Sequence, residues 1–219
     1  MEEKKTMVGG ISKKTLERLP LYYHYLKDRQ EDKMTYISSP VIAAGLNLNE
    51  VQVRKELALV SRRAGKPKAG FPVDELVEDI ETFLGYRNGN QAVIAGVGSL
   101  GRALLAYRGF AQYGIEIIAG FDTDPKLIGE TVTGKPVLSL DKMGNLCRRM
   151  NIHIGIITTP AEYAQSVCDR MVAAGVLAIW NFAPLHLTVP DHVLLQNENM
   201  AASLALLSKY LLDKELPSH

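Results

Sequence analysis

Apolar and polar positions change period along the chain, and the changes mark its elements. From Lys13 to about Lys27, Leu16, Leu19, Tyr22, Tyr23 and Leu26 recur at three- and four-residue spacing. That period predicts a helix, with Ser12 as its cap and Pro20 permitting a kink. Tyr36 and Ile37 form a short extended stretch. Ser38 or Ser39 opens a second helix, Pro40 to Gly45, and the turn Leu46–Asn49 leads to a third, Glu50 to about Arg63. Val53, Leu57 and Val60 share the apolar face of this third helix, whereas Arg54, Lys55, Ser61 and Arg62 lie elsewhere on its surface. Two short helices around a tight turn predict a helix-turn-helix. The segment Ala64 to Pro72 reads as a wing, and a helix from Asp74 to Phe83 closes this region.

Beyond a turn-rich break at 84–90 the period alternates between strand and helix. Strands are predicted at Ala92–Ala95, Ile115–Phe121, His153–Ile157, Val176–Trp180 and Val193–Leu195, with helices between them such as Ala161–Ala174. Repeated strand–helix units predict an α/β fold, a doubly wound parallel sheet with helices on both faces. The last helix, Ala201 to Leu212, is apolar around most of its circumference and must be buried in its own domain or in a partner. Domains are therefore expected at 1–85 and 86–196, with residues 197–219 as a terminal helix.

The 219 residues suffice for one or two domains, and 47% are apolar, too many for a disordered chain. No run of about 18 apolar residues occurs, so no membrane span is expected. The first residues lack the apolar core of a secretion signal. Cys147 and Cys168 are isolated, which suits a reduced, cytoplasmic setting. The net charge of +1 conceals an asymmetry: residues 11–72 carry twelve Lys or Arg against six Asp or Glu, and residues 86–219 carry eleven of each. A basic N-terminal third points to nucleic acid.

Gly96-Val97-Gly98-Ser99-Leu100-Gly101 is a complete GxGxxG that follows an apolar strand and opens a helix. This is the dinucleotide-binding Rossmann context: a tight turn at Gly96, backbone approach at Gly98, close helix–strand packing at Gly101, and N–H groups facing phosphate. The next strand ends at Asp122, 21 residues beyond Gly101. A carboxylate there accepts from ribose hydroxyls and repels a 2′-phosphate, and Thr123-Asp124 adds no cation, so NAD(H) is favoured over NADP(H). A ligand-free strand–turn–helix, a coenzyme A site and a flavin site are the other readings. Arg54, Lys55, Arg62, Arg63, Lys66 and Lys68 form the basic constellation, suited to phosphates and guanine edges unless it is only a solvated helix face. Neither a Ser–His–Asp arrangement nor metal-ligand spacing appears, and His153, His186 and His192 read as structural or exposed. About twenty residues follow the sheet, too few for a substrate domain, which favours sensing over catalysis. An NAD-linked oxidoreductase with a basic appendage, or a DNA-binding regulator of another ligand such as coenzyme A, are the competing functions.

The chain resembles the Rex family of redox-sensing transcriptional repressors. The resemblance rests on Arg18-Leu19-Pro20-Leu21-Tyr22-Tyr23, Gln52 to Leu57, Gly96 to Gly101, Phe121 to Asp124, Thr158-Thr159-Pro160-Ala161, Ala164-Gln165, Asn181-Phe182-Ala183-Pro184 and Val189-Pro190. It implies a homodimer with winged-helix domains on double-stranded operator DNA, a Rossmann core binding NADH or NAD+, and a C-terminal helix exchanged between subunits. It implies NAD+ favouring DNA binding and NADH releasing it; from the residues themselves no enzyme activity, membrane or metal is expected. Residues matching family nucleotide contacts are Gly96 to Gly101, Asp122, Thr158, Thr159, Pro160, Asn181 and Phe182. Tyr107 matches a tyrosine of the redox switch. Two departures stand out. Leu59-Val60-Ser61 replaces a usual Tyr-Phe-Gly and the wing ends Gly70-Phe71, so the operator is expected to differ, while Arg62 and Arg63 should raise phosphate affinity. Asn199-Met200 replaces an Asp-apolar pair at the last helix, and Asn199 cannot pair with Arg18 or another cation, so the NADH response is expected to be weakened or altered.

Overall fold

The computed structural model describes residues 7–8, 11–63, 65–66 and 69–213, and the chain divides into two compact units between Asn88 and Gly89. In the first unit a two-residue pair, β1 (Met7–Val8) and β2 (Ile11–Ser12), leads into α1 (Lys13–Glu31). The Ser12 hydroxyl accepts the Thr15 N–H at 3.2 Å, satisfying one of the unpaired donors at the helix start. Pro20 lies inside α1 without ending it, and the helix continues five residues past Leu26, the last apolar position, through a polar, partly exposed final turn.

After β3 (Tyr36–Ile37) come α2 (Ser39–Leu46) and α3 (Glu50–Val60). Asn47 closes α2 in the left-handed conformation, and the Asn49 side chain accepts the Gln52 N–H at 3.1 Å to start α3. Next, β4 (Phe71–Pro72) pairs antiparallel with β3, and α4 (Val73–Leu84) ends at a left-handed Gly85. With the Lys66–Gly70 bridge, this hairpin-like return is the wing. The core joins Leu19, Tyr22 and Leu26 of α1 to Ile42, Val53, Leu57, Leu76 and Ile80. The apolar face read from Val53, Leu57 and Val60 is buried as the period requires.

The third helix stops at Val60, short of the expected Arg63. Asp79 on α4 explains this: its carboxylate accepts the Arg62 N–H at 2.8 Å and the Ser61 hydroxyl at 3.4 Å. Those contacts turn the chain away from the helix axis. Arg62 and Arg63 therefore do not lie on α3.

The second unit contains β5 (Asn90–Ala95), α5 (Ser99–Ala106), a 3-10 turn (Arg108–Tyr113), β6 (Ile115–Asp122), β7 (Thr131–Val132) and β8 (Lys135–Ser139). It continues with α6 (Met143–Met150), β9 (Ile154–Ile157), α7 (Ala161–Ala173), β10 (Ala178–Asn181), β11 (Leu194–Asn197) and α8 (Met200–Asp213). The sheet order is β11-β10-β9-β5-β6-β8-β7, parallel except for the β7–β8 hairpin. Val93 and Ala95 pack with α6 and α7, while Ala92 and Ile94 pack with α5, so helices cover both faces. The β7–β8 hairpin escaped the sequence reading, although Thr133-Gly134, both with positive φ, is a recognisable two-residue turn between extended runs.

Strand order reverses between β5 and β9. In such sheets ligands lie outside the carboxyl ends of the strands at the reversal. Helix α8 is exposed along its described length: Leu204, Leu207 and Tyr210 are each 60% or more accessible. It is not buried in its own domain. No helix among the described residues is long and apolar enough to cross a membrane.

Candidate nucleotide site and DNA-binding surface

The glycine turn sits at the carboxyl end of β5. Gly96 has φ of 91°, and a side chain there would press into Thr158 at 2.8 Å; one on Gly101 would meet the Gly96 carbonyl at 1.9 Å. Gly98 instead faces open space and caps α5 with no side chain competing for its first N–H groups. The turn is therefore tight against the protein and open toward a ligand. Val97 is buried and contributes backbone, while Ser99 and the half-buried Leu100 occupy the first turn of α5. Asp122 closes the turn from β6: one carboxylate oxygen accepts the Val97 N–H at 2.6 Å.

Thr158 and Thr159 divide two tasks. The Thr158 hydroxyl donates to the Gly96 carbonyl at 2.6 Å and lies 3.1 Å from that of Ala95, tying β9 to the turn. The Thr159 hydroxyl oxygen is buried without any partner among the described residues. A buried unpaired hydroxyl is costly unless a ligand completes it. Pro160 follows as the cap of α7. Gly96, Asp122, Thr159 and Pro160 border one cavity of about 530 Å³, with Phe121, Leu140 and Val167 as apolar wall and Tyr163, Asp141 and Arg170 at the rim. Arg170 and Asp141 pair there at 3.2 Å. Phe121 comes from β6 within the Phe121-to-Asp124 match; no motif carried the other wall and rim residues, which the register of α7 and the chain after β8 bring in.

Asn181 lies at the carboxyl end of β10, fully buried. Its amide nitrogen faces the Ala183 and Leu185 carbonyls and the Asn197 side chain at 3.2, 2.9 and 2.9 Å, and its oxygen accepts the Ala183 N–H at 3.0 Å. The side chain shapes the turn and has little left for a ligand. Phe182 begins an aromatic ladder instead: 4.5 Å to Trp180, 6.0 Å on to Phe110 and 5.0 Å on to Tyr107, which is exposed. Trp180 donates to Glu198 at 3.0 Å, just before α8. Asn199 caps α8, accepting the Ala202 N–H at 2.8 Å, and Met200 begins the helix exposed.

In the first unit the basic residues separate into three groups. Arg54 and Lys55 are exposed on α3, Arg54 reaching Glu50 only at 4.0 Å. Arg62 pairs with Asp79 at 3.3 Å and Arg63 with Glu75 at 3.2 Å, so both are partly neutralised by carboxylates of α4. The Lys66 ammonium rests 2.8 Å from the Tyr36 hydroxyl, a bond that holds it above its ordinary pKa, and lies 5.0 Å from the ring centroid. Lys68 lies outside the described residues. A groove of about 750 Å³ separates Arg54 on α3 from Arg63 and Lys66 toward the wing.

Arg18 and Glu56 form a contact that sequence reading did not anticipate. Glu56 is buried, although it sits among the cations of α3. It takes hydrogen bonds from Arg18, Tyr22 and, at 3.2 Å, Gln52. Burial alone would raise its pKa, but these donors and the Arg18 charge hold it below the ordinary carboxylate value. Burial, then the neighbouring carboxylate, pushes the Tyr22 phenol up.

Comparison with known proteins agrees with this two-part layout. A family model described as putative DNA-binding protein N-terminus matches residues 10–58, and one described as CoA binding domain matches 87–185. The redox-sensing transcriptional repressor Rex of Treponema denticola is 42% identical over 193 residues, 88% of this chain and 91% of that one. Its counterpart from Bacteroides fragilis is 38% identical over 90% of this chain and 89% of that one. The chain belongs to the Rex family. Among solved structures, the Rex-family repressor RSP with β-NAD+ and operator DNA superposes with a TM-score of 0.89 at 32% identity, covering 94% of both chains. RSP with β-NADH gives 0.81, covering 94% of this chain and 96% of that one. Rex relatives of this similarity are transcriptional repressors, and the winged helix-turn-helix followed by a Rossmann sheet is the architecture this chain shares with them.

Proposed function

We propose that this chain represses transcription as a homodimer, binding operator DNA through α3 and the wing and releasing it when NADH occupies the cavity at the β5/β9 reversal. The Thr159 hydroxyl, buried with no partner among the described residues and set beside the open glycine turn, carries the reading, because a polar group of a bound ligand would satisfy it. The turn and the free first-turn N–H groups of α5 suit a pyrophosphate, Asp122 the adenosine ribose, and the wall of Phe121, Leu140 and Val167 a flat base. Tyr107 and Phe182, linked through the aromatic ladder, would hold the nicotinamide, with Asn181 shaping the turn beside them. NAD(H) supplies hydride chemistry when an enzyme uses it; here its oxidation state is the signal. Cys147 and Cys168, both buried free thiols, suit a reduced intracellular setting.

The match to a coenzyme A-binding model favours a second ligand of the same fold. Coenzyme A would bring a ribose phosphate toward the Asp122 carboxylate, and that like-charge approach disfavours it.

The experiment is DNA binding by the full chain, titrated with NADH against NAD+. Binding should survive NAD+ and fall with NADH, because only a ligand that prefers the DNA-incompetent arrangement can shift the equilibrium. Equal affinity under both nucleotides would defeat the redox claim, and response to coenzyme A alone would install the second reading.

A further inference from the structure

The outer face of α3 is not uniformly basic. Two rows run along it at four-residue spacing: Glu50, Arg54 and Ala58 toward the wing, and Val51, Lys55 and Leu59 toward the start of α1. All six are exposed, Leu59 by 58% and Val51 by 46%. Neither belongs to the core, which takes Val53, Leu57 and Val60 from the opposite face. Branched apolar side chains thus flank a lysine, next to an arginine, on the surface that the proposed function turns toward DNA. An occupant must be polyanionic and also offer apolar contact. The major groove of duplex DNA does both, through its phosphates and the C5-methyl groups of thymine.

We infer that Leu59 and Val51 read thymine methyl groups, so that this protein selects its operator partly by apolar contact while Arg54 and Lys55 hold phosphates or guanine edges. The inference rests on the DNA-binding reading above. Eight residues of helix separate Val51 from Leu59, a rise of about 12 Å. At about 3.4 Å per base step the two methyl contacts fall some three to four base pairs apart in each half-site.

Replacement of thymine by deoxyuridine tests this, because pairing is kept and only the methyl is lost. A duplex selected by the full-length protein from a random pool is synthesised with each thymine replaced in turn, and affinity is measured for the wild type, Leu59→Ala and Val51→Ala. Removing one buried methyl should weaken wild-type binding about three- to fivefold at one or two positions per half-site. At the position read by Leu59, Leu59→Ala should bind thymine and uracil duplexes equally, while keeping the wild-type penalty at the position read by Val51. If wild type binds the selected duplex but no uracil position weakens it, or the penalties persist in both variants, the apolar readout is overturned and the repressor reading stands. If no duplex is bound or selected at all, both readings fall. Self-association lost in Leu59→Ala, with no uracil effect, would assign this face to a protein contact and overturn the inference.

Discussion

The Asp122 carboxylate holds the Val97 backbone N–H at 2.6 Å, so the acid proposed to select the ribose also fixes the glycine turn. Its second oxygen accepts the Thr123 and Asp124 N–H groups at 2.7 and 2.9 Å. Binding and turn geometry are therefore coupled through one side chain. Asp122→Ala should weaken NAD(H) binding by about 10- to 100-fold, the loss expected for one hydrogen-bonded charged group, and narrow the preference over NADP(H). Calorimetric titration with all four nucleotides checks this; an unchanged preference would remove Asp122 from ribose recognition.

The Glu56 cluster sets an acid limit on the first unit. Because the folded pKa of Glu56 is lowered, its stabilisation is complete above the ordinary carboxylate value and is lost as pH falls through the lowered one. Glu56→Gln leaves Arg18 facing no carboxylate in a largely buried site and should cost about 2–4 kcal/mol near neutrality. The variant should also lose part of the wild type's destabilisation in acid. Denaturant unfolding across pH, with hydrogen exchange in α1 and α3 as the local readout, measures both effects.

Cations on the DNA-binding unit should not be equivalent. Arg54→Ala and Lys55→Ala should each weaken DNA binding and lower the slope of log affinity against log salt by about 1. Arg62→Ala and Arg63→Ala should change that slope less, because Asp79 and Glu75 already pair with them. Binding titrations at several salt concentrations separate the two groups. Equal slopes for all four variants would mean that the pairs on α4 open on DNA.

Exposed Leu204 and Leu207 on α8 should hold the homodimer together. Replacing both with Asp removes apolar burial worth about 1.5–3 kcal/mol per side chain and puts charge in its place. Sedimentation should show a monomer, and DNA binding should fall with it. A dimer of undiminished stability would place the interface elsewhere.

Both thiols should be inert in the folded protein. Burial raises the pKa of Cys147, and burial followed by the Asp169 charge raises that of Cys168 to about 11. Alkylation near neutral pH should be slow until the chain is unfolded. Rapid native labelling would show that the core around α6 and α7 opens.

Local chemistry made much of this protein legible. Three- and four-residue periods located α1 and α3, Ser12 marked the start of α1, strand–helix alternation located α7, and the complete glycine motif between a strand and a helix located the turn, with Asp122 at the next strand end. Each depends on neighbours within a few positions, where backbone geometry is set directly by sequence. Tertiary structure decided what those residues touch. Glu56 looked like one more charge on a basic helix until Arg18 and Tyr22, more than thirty residues earlier, closed over it. Arg62 and Arg63 left the helix because Asp79, from a later helix, captured the backbone there. Asn181 matched a ligand contact by its motif, yet Asn197 on the neighbouring strand helps to occupy its side chain, while the Thr159 hydroxyl has no partner among the described residues. Burial, desolvation and the choice of hydrogen-bond partner belong to groups distant in sequence that packing brings together, and no local period encodes which of them will meet.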